Sequence, residues 1–262
     1  MPGPAPIQSS ASVRSGIAAV DRYLDAGYET VPGMSSRFAA AVCGGLMRIQ
    51  GELGVTGPVA EFGTFEGRFF IALCHALAPG EMALGIDRFD WPNPQVQDRF
   101  EANCLEHGIP PERRITWKAD SHTMRAEELL GKLGGRRPRF VHIDSEHSCE
   151  GLGKELELVT RVLAPASVMV LDDMLHPGYP TLVVAVHAYL ERHPEMRVLC
   201  IIDRETVVAA TKFVLCHADW QKRYEERLLE AYKANIWPMG ADFAPRWCPV
   251  FSLDTRLAEI PT

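Results

Sequence analysis

Acidic side chains at the ends of apolar runs are where this sequence could do chemistry. Phe140–Ile143 ends at Asp144, and Val168–Leu171 ends at Asp172 and Asp173. Short apolar runs closed by polar residues suit strands buried on both faces of a parallel sheet. Between them, Glu150–Val162 and the residue after it place Leu152, Leu156, Val159 and Leu163 at helical spacing. A β-α-β crossover returns both strand ends to one edge of the sheet, where open α/β sheets bind ligands. Three converging carboxylates repel one another unless positive charge sits among them, and a divalent metal is the simplest candidate. The competing explanation is that strand-end aspartates only cap helices or order loops.

The same pattern recurs upstream. Val59–Phe62 runs into the turn Glu61-Phe-Gly-Thr-Phe-Glu-Gly67, where Gly63 and Gly67 let backbone approach a ligand and Thr64 and Phe65 lie between them. The turn does not match GxGxxG. An acid inside it opposes a pyrophosphate at the helix N-terminus, so a ligand with positive charge and ribose hydroxyls suits Glu61 and Glu66 better. Asp87, followed by Arg88, closes the run Met82–Ile86 and stands where an acid accepts both hydrogen bonds of a ribose diol. Asp120 and Ser121 follow Arg114–Ala119 and are placed for an adenine edge. Each signal alone is weak; the series of four is the stronger argument.

Stepping through the elements that must hold these residues, helices are expected at Gly16–Leu24, Arg37–Leu53, after Gly67 to Leu77, Val96–His107, Glu127–Leu133 and Leu182–Arg192. The apolar runs Val198–Ile202 and Thr206–Leu215, separated by Asp203–Glu205, are too close for a crossover and predict an antiparallel hairpin. The pattern predicts a doubly wound α/β fold, a mostly parallel seven-stranded sheet with an antiparallel last strand. Three segments are expected: an N-terminal helical extension (1–54), the α/β core (55–216) and a C-terminal helix and tail (217–262). The tail carries Trp237, Phe243, Trp247, Val250 and Phe251, apolar surface that predicts cover by the chain's own body or by a second copy.

Composition narrows the function classes. The chain has 262 residues, enough for a sizeable core, and a net charge of −7 that argues against a nucleic-acid backbone as partner. The run Arg136, Arg137, Arg139 is read as a solvated loop before a strand. No apolar run spans a bilayer, and residues 1–15 lack the apolar segment of a secretory signal. Seven scattered cysteines without a CxxC pair predict reduced, buried thiols in a cytoplasmic protein.

With these residues in hand, the sequence resembles the class I S-adenosylmethionine-dependent methyltransferases over about residues 55–215. The E-F-G-T-F-E-G turn looks like their first motif, Asp87 like the ribose-binding acid and Asp120-Ser121 like the adenine-side position. HIDSEHSCEG and LDDM resemble the metal-dependent O-methyltransferases, of the catechol type and of the type acting on sugars of natural products; the separation 172 − 144 = 28 agrees. The resemblance implies S-adenosylmethionine as donor, with Asp144 at the donor's edge as well. It implies Mg²⁺ (or Mn²⁺ or Ca²⁺) on Asp144, Asp172 and Asp173, and a small hydroxylated acceptor. The catechol type has lysine three residues after its first aspartate. Here that position is His147, which leaves the base open between His147 and Asp144. His176 and the Val31–Met34 loop are further candidates near the site, and Trp91, Trp237 and Trp247 either line an acceptor pocket or, the favoured role, pack in the core or an interface. Two alternatives stand: a metal-independent N- or O-methyltransferase, and a hydroxylase-like or non-catalytic relative binding at the same edge.

Overall fold

The computed structural model describes residues 7–243 and 246–256. Its strands are β1 (Val59–Phe62), β2 (Ala83–Asp87), β3 (Arg114–Lys118), β4 (Phe140–Ile143), β5 (Val168–Met174), β6 (Met196–Ile202), β7 (Thr211–His217), β8 (Ile236–Phe243) and β9 (Arg246–Phe251). They form one sheet in the order β3-β2-β1-β4-β5-β7-β6-β9-β8. The first five are parallel, and β7 runs antiparallel between β5 and β6. The seven expected strands are present, and the fold is the mostly parallel, doubly wound α/β type.

The helices are α1 (Ala18–Ala26), α2 (Arg37–Glu52), α3 (Arg68–His75), α4 (Val96–Glu106), α5 (Ala126–Lys132), α6 (Cys149–Thr160), α7 (Leu182–Arg192) and α8 (Ala218–Ala231). Two apolar layers hold them. One packs α1–α4 and α8 on one face of the sheet; the other packs α5–α7 on the opposite face. α2 is buried almost around its whole circumference, so the N-terminal helices share the sheet's own core. All seven cysteines are free thiols, six of them buried.

Three details differ from the reading of the sequence. The tail adds two strands: β9 pairs parallel with β6 and β8 closes the edge, which buries Cys248 and Phe251 and leaves Trp247 exposed. The link before β7 is eight residues, 203–210, not three. Val207 and Val208 are exposed there, and Glu205 reaches back to the start of α2. Its Oε2 accepts from Ser36 Oγ (2.6 Å) and from Phe38 N–H (2.8 Å), meeting orphan donors at a helix N-terminus. Arg139, expected in a solvated loop, is buried. It grips Glu81 with two bonds (2.9 and 2.7 Å) and also donates to Met47 O and Gln50 Oε1. Its guanidinium lies against α2 and the end of α3, while Arg136 and Arg137 stay exposed.

Register brings the site together. Phe62 lies level with Ile86 on one side and with Ile143 on the other, and Ile143 lies level with Leu171. The residues that follow β1, β2 and β4, together with those ending β5, therefore open on one edge. β4 and β2 flank β1 there, at the reversal of strand order where open sheets bind ligands.

Candidate active site

A cavity of about 580 Å³ opens along this edge, within the usual range for small-molecule sites. Its walls include Gly63, Phe65, Asp87, Arg88, Asp120 and Ser121 on the donor side expected above. Gly63 has φ 80°, and a Cβ there would lie 1.9 Å from the Asp144 carbonyl oxygen, so only glycine lets the turn pass β4. Asp87 shapes the turn: its Oδ2 accepts from Phe65 N–H (2.8 Å) and its Oδ1 from Phe89 N–H (2.7 Å). Both phenylalanines have φ 48°, a conformation that side-chain-bearing residues seldom adopt. Burial pushes the Asp87 pKa up, against those bonds. Arg88 pairs with Asp90 (2.8 Å). Asp120 caps a short turn through His122 N–H (2.9 Å). Ser121 and Ser145 both donate to Glu155, a buried carboxyl of α6.

Glu61, Thr64 and Gly67, also expected at the ligand, lie behind this wall. Glu61 is buried within the sheet layer, where its Oε1 meets His142 Nδ1 at 2.7 Å. Thr64 is buried with no partner for its hydroxyl among the described residues, and Gly67 precedes α3 at φ 95° against Phe100. Glu66 pairs with Arg99 at 2.6 Å rather than with the cavity.

At the far end stand Asp144, Asp172 and Asp173. Asp144 is held at the edge by its own N–H on Phe62 O (2.8 Å). Burial, and then the charge of Asp172, raise its pKa well above the carboxylate norm; no hydrogen bond from a described residue offsets them. Asp173, with φ 58°, places its Oδ2 at 2.7 Å from His147 Nε2. That bond raises the His147 pKa, outweighing the effect of burial. His147 stacks on Tyr179 (4.4 Å between centroids), and His176 stacks on it too (4.7 Å). Met34, Trp91, His176, Tyr179 and Val208 line the mouth. Met34, Trp91 and Val208 are exposed, so the rim offers apolar surface around an acidic floor.

Asp172 has a partner that sequence reading missed. Lys212 of β7, fully buried, donates to Asp172 Oδ2 and lies 3.1 Å from His142 Nε2. An ammonium only donates, so His142 Nε2 accepts and its proton sits on Nδ1, facing Glu61. Burial lowers the His142 pKa and raises that of Glu61. Asp172 is held below the ordinary carboxylate value although it is buried, because the charge of Lys212 and its bond favour the ionised form. Ser35 Oγ adds a second donor to the same oxygen at 3.2 Å. A lysine and a histidine inside the apolar runs Thr211–Cys216 and Phe140–Ile143 were the available signal.

Could these residues hold a divalent ion? Ligand atoms of Asp144, His147 and Asp173 lie within 4.8 Å of one another, as do those of His142, Asp144 and Asp172. Carboxylate oxygens, with Asp144 lacking a donor of its own, form a set that fits a hard cation. Asp172 would be shared with Lys212.

Residues 60–174 match the family described as "Methyltransferase domain". That segment is similar to methyltransferase domains. Solved structures share the fold at low identity. The O-methyltransferase TomG from Streptomyces achromogenes, involved in tomaymycin synthesis and in complex with S-adenosylmethionine, is 19% identical. It matches over 79% of this chain and 92% of its own, at TM-score 0.51. An O-methyltransferase from Bacillus cereus in complex with S-adenosylhomocysteine is 13% identical over 76% and 89% of the two chains, at TM-score 0.52. CalS11, a TDP-rhamnose 3'-O-methyltransferase of calicheamicin biosynthesis, is 16% identical over 76% and 92%, at TM-score 0.51. No curated protein matches the chain. The matched methyltransferase segment runs from β1 to the end of β5. It therefore holds Asp87, Asp144, Asp172 and Asp173, while Lys212, α1 and α2 lie outside it. Among the described residues no helix is long and apolar enough to cross a membrane.

Proposed function

We propose that the chain is an S-adenosylmethionine-dependent O-methyltransferase of a small hydroxylated metabolite, assisted by a divalent ion. The observation that carries this reading is a single cavity with two ends. One holds Asp87, Asp120 and Ser121, suited to ribose and adenine; the other holds Asp144, Asp173 and the His147 pair, suited to a reacting hydroxyl. Acidic side chains outnumber the one guanidinium in the lining, Arg88, which favours a cationic sulfonium ligand and a neutral acceptor.

The donor supplies a methyl group already activated on sulfur, so the protein's work is alignment and proton removal. Asp87 has lone pairs left for the ribose diol after binding Phe65 and Phe89. Gly63 leaves room for close approach of the ligand. Phe65 and Trp91, with ring centroids 5.5 Å apart, wall the entrance against water. His147, oriented by the bond from Nε2 to Asp173 and by its stack on Tyr179, takes the acceptor's hydroxyl proton at Nδ1. Asp144, Asp172 and Asp173 would hold the ion, which lowers the pKa of a bound hydroxyl and orients it.

A second reading dispenses with the ion, favoured by Lys212 and His147, which already pair two of the three acids. One experiment separates the two. Labelled S-adenosylmethionine is incubated with a panel of neutral phenolic and glycosidic acceptors, with EDTA and after restoring Mg²⁺ or Mn²⁺. Methyl transfer that needs the restored ion supports the first reading. Full transfer after exhaustive chelation moves the assignment to the metal-free one. No transfer and no binding of the donor would sink both.

A further inference from the structure

Lys212 sits where a strand interior would ordinarily take an apolar side chain. It is fully buried on β7, the strand antiparallel to β5. Pairing between β5 and β7 shifts register between Leu171 and Met174, so Asp172 and Asp173 fall in the irregular step. Such a step re-aims side chains at sheet edges and sites. Leu171 pairs with Phe213 and Met174 with Thr211, which puts Lys212 across from the step.

The ammonium is surrounded by an acid, an imidazole and an aromatic ring. Its Nζ meets Asp172 Oδ2 and His142 Nε2 and stands 4.6 Å from the centre of the Phe69 ring. Phe69 stacks on His142 at 4.2 Å, and His142 is fixed from its other nitrogen by Glu61. Asp172 Oδ2 also accepts from Ser35, and its Oδ1 accepts from Asp173 N–H at 2.8 Å. The Asp172 carboxylate is therefore clamped from β7, from the loop before α2 and from its own backbone. A buried lysine is costly unless its charge is matched, and a hydrophobic pair of the same size would pack at no greater cost. What the lysine adds is a fixed positive charge beside the acids that face the cavity.

We propose that Lys212 is a positioning residue: the resident cation of this site, which balances Asp172, fixes its carboxylate and thereby sets how tightly the neighbouring acids take up a divalent ion. An ion then adds chemistry to acids already in place; it is not what holds them together. The proposal deepens the metal-assisted reading above, resting on it for the ligand acids, and it is tested without methyl transfer.

The test uses the full chain, with Mn²⁺ titrated calorimetrically into wild type, Lys212→Met and Lys212→Arg. Removing a fixed charge a few ångströms from the ion should tighten Mn²⁺ binding by about tenfold or more in Lys212→Met, at an effective dielectric constant near 20. Lys212→Arg, which keeps the charge, should stay within about threefold of wild type. Wild type should melt at the same temperature with and without EDTA. Lys212→Met should melt about 6 °C or more lower in EDTA, because Asp172 is left buried without its partner, and should recover with saturating Mn²⁺. Should Lys212→Met not fold, Lys212→Met/Asp172→Asn decides by its melting temperature. Recovery of a folded, cooperative melt supports charge balance; a double variant as unstable as the single one overturns it. Equal Mn²⁺ affinity in wild type and Lys212→Met, or a wild type that loses its melting temperature in EDTA, also overturns the proposal. A parallel titration with S-adenosylmethionine keeps the outcomes apart: absence of donor binding sinks the methyltransferase reading whatever Mn²⁺ does.

Discussion

Asp87 serves two purposes at once, and replacing it should separate them. Its carboxylate holds the N–H groups of Phe65 (2.8 Å) and Phe89 (2.7 Å), and both of those residues sit at φ 48°. In Asp87→Ala the two donors lose their partner in turns that are already strained. Each orphaned donor costs about 1–3 kcal/mol when buried. Asp87 is only partly buried, so the lower half of that range applies and the total is about 2–4 kcal/mol. For a chain of this size that lowers Tm by roughly 4–16 °C. The ribose diol also loses a charge-assisted partner worth about 1.5–3 kcal/mol, which weakens donor binding by about 10- to 150-fold. Asp87→Asn keeps one carbonyl acceptor for a backbone N–H but removes the charge, so its Tm should lie between the two while its donor affinity falls nearly as far. Calorimetric titration of S-adenosylhomocysteine, which is not consumed, measures the affinity well below the melting range. Donor affinity within twofold of wild type in a folded Asp87→Ala would refute the ribose assignment and leave Asp87 a turn-shaping residue.

Two further outcomes follow from ion pairs at opposite ends of the strands. His147 is held above its ordinary pKa chiefly by the bond to Asp173, so as a base it is available only as pH rises through that raised value. The rate at saturating substrate should climb with a midpoint above about 6.5, and Asp173→Asn should move that limb to lower pH. The stability linked to this pair runs the other way: it is complete below about pH 6.5 and lost as pH rises through the folded-state pKa. His147→Ala should lower turnover by about 10²–10⁴-fold and abolish the limb; wild-type turnover and profile would exclude the role. Arg139→Leu strands the buried Glu81 carboxylate and should cost about 3–5 kcal/mol, read as a lower midpoint in urea. Neither residue lines the cavity, so donor affinity in the folded variant should not change, and a change would show that this pair also shapes the site.

Why some of this was readable in the sequence and some was not follows from how each element is stabilised. β1, β4 and β5 are buried on both faces, so their apolar runs stand out, and Asp144, Asp172 and Asp173 after β4 and in β5 do line one cavity. β8 and β9 carry Pro238, Gly240 and Pro249, residues that argue against strands. Prolines are tolerated there because β8 is the sheet's last strand and β9 meets β6 over only two residue pairs, Ile201–Val250 and Ile202–Phe251. Glu61 illustrates a subtler loss. Counting strand-end acids put it at the ligand, but side chains alternate across a strand. One residue before the end of β1, it points into the layer beneath α3 and meets His142 instead. Lys212 and Asp172 are 40 residues apart in sequence, and nothing local pairs them. Three converging acids require positive charge among them, for which a metal is the expectation from sequence. The fold supplies part of it with a lysine, from a strand whose true start lay five residues beyond the expected one. A lone lysine or histidine inside an otherwise apolar run is therefore a signal to be matched against unpaired acids elsewhere in the chain. Here that match joins Lys212 and His142 to Asp172 and Glu61.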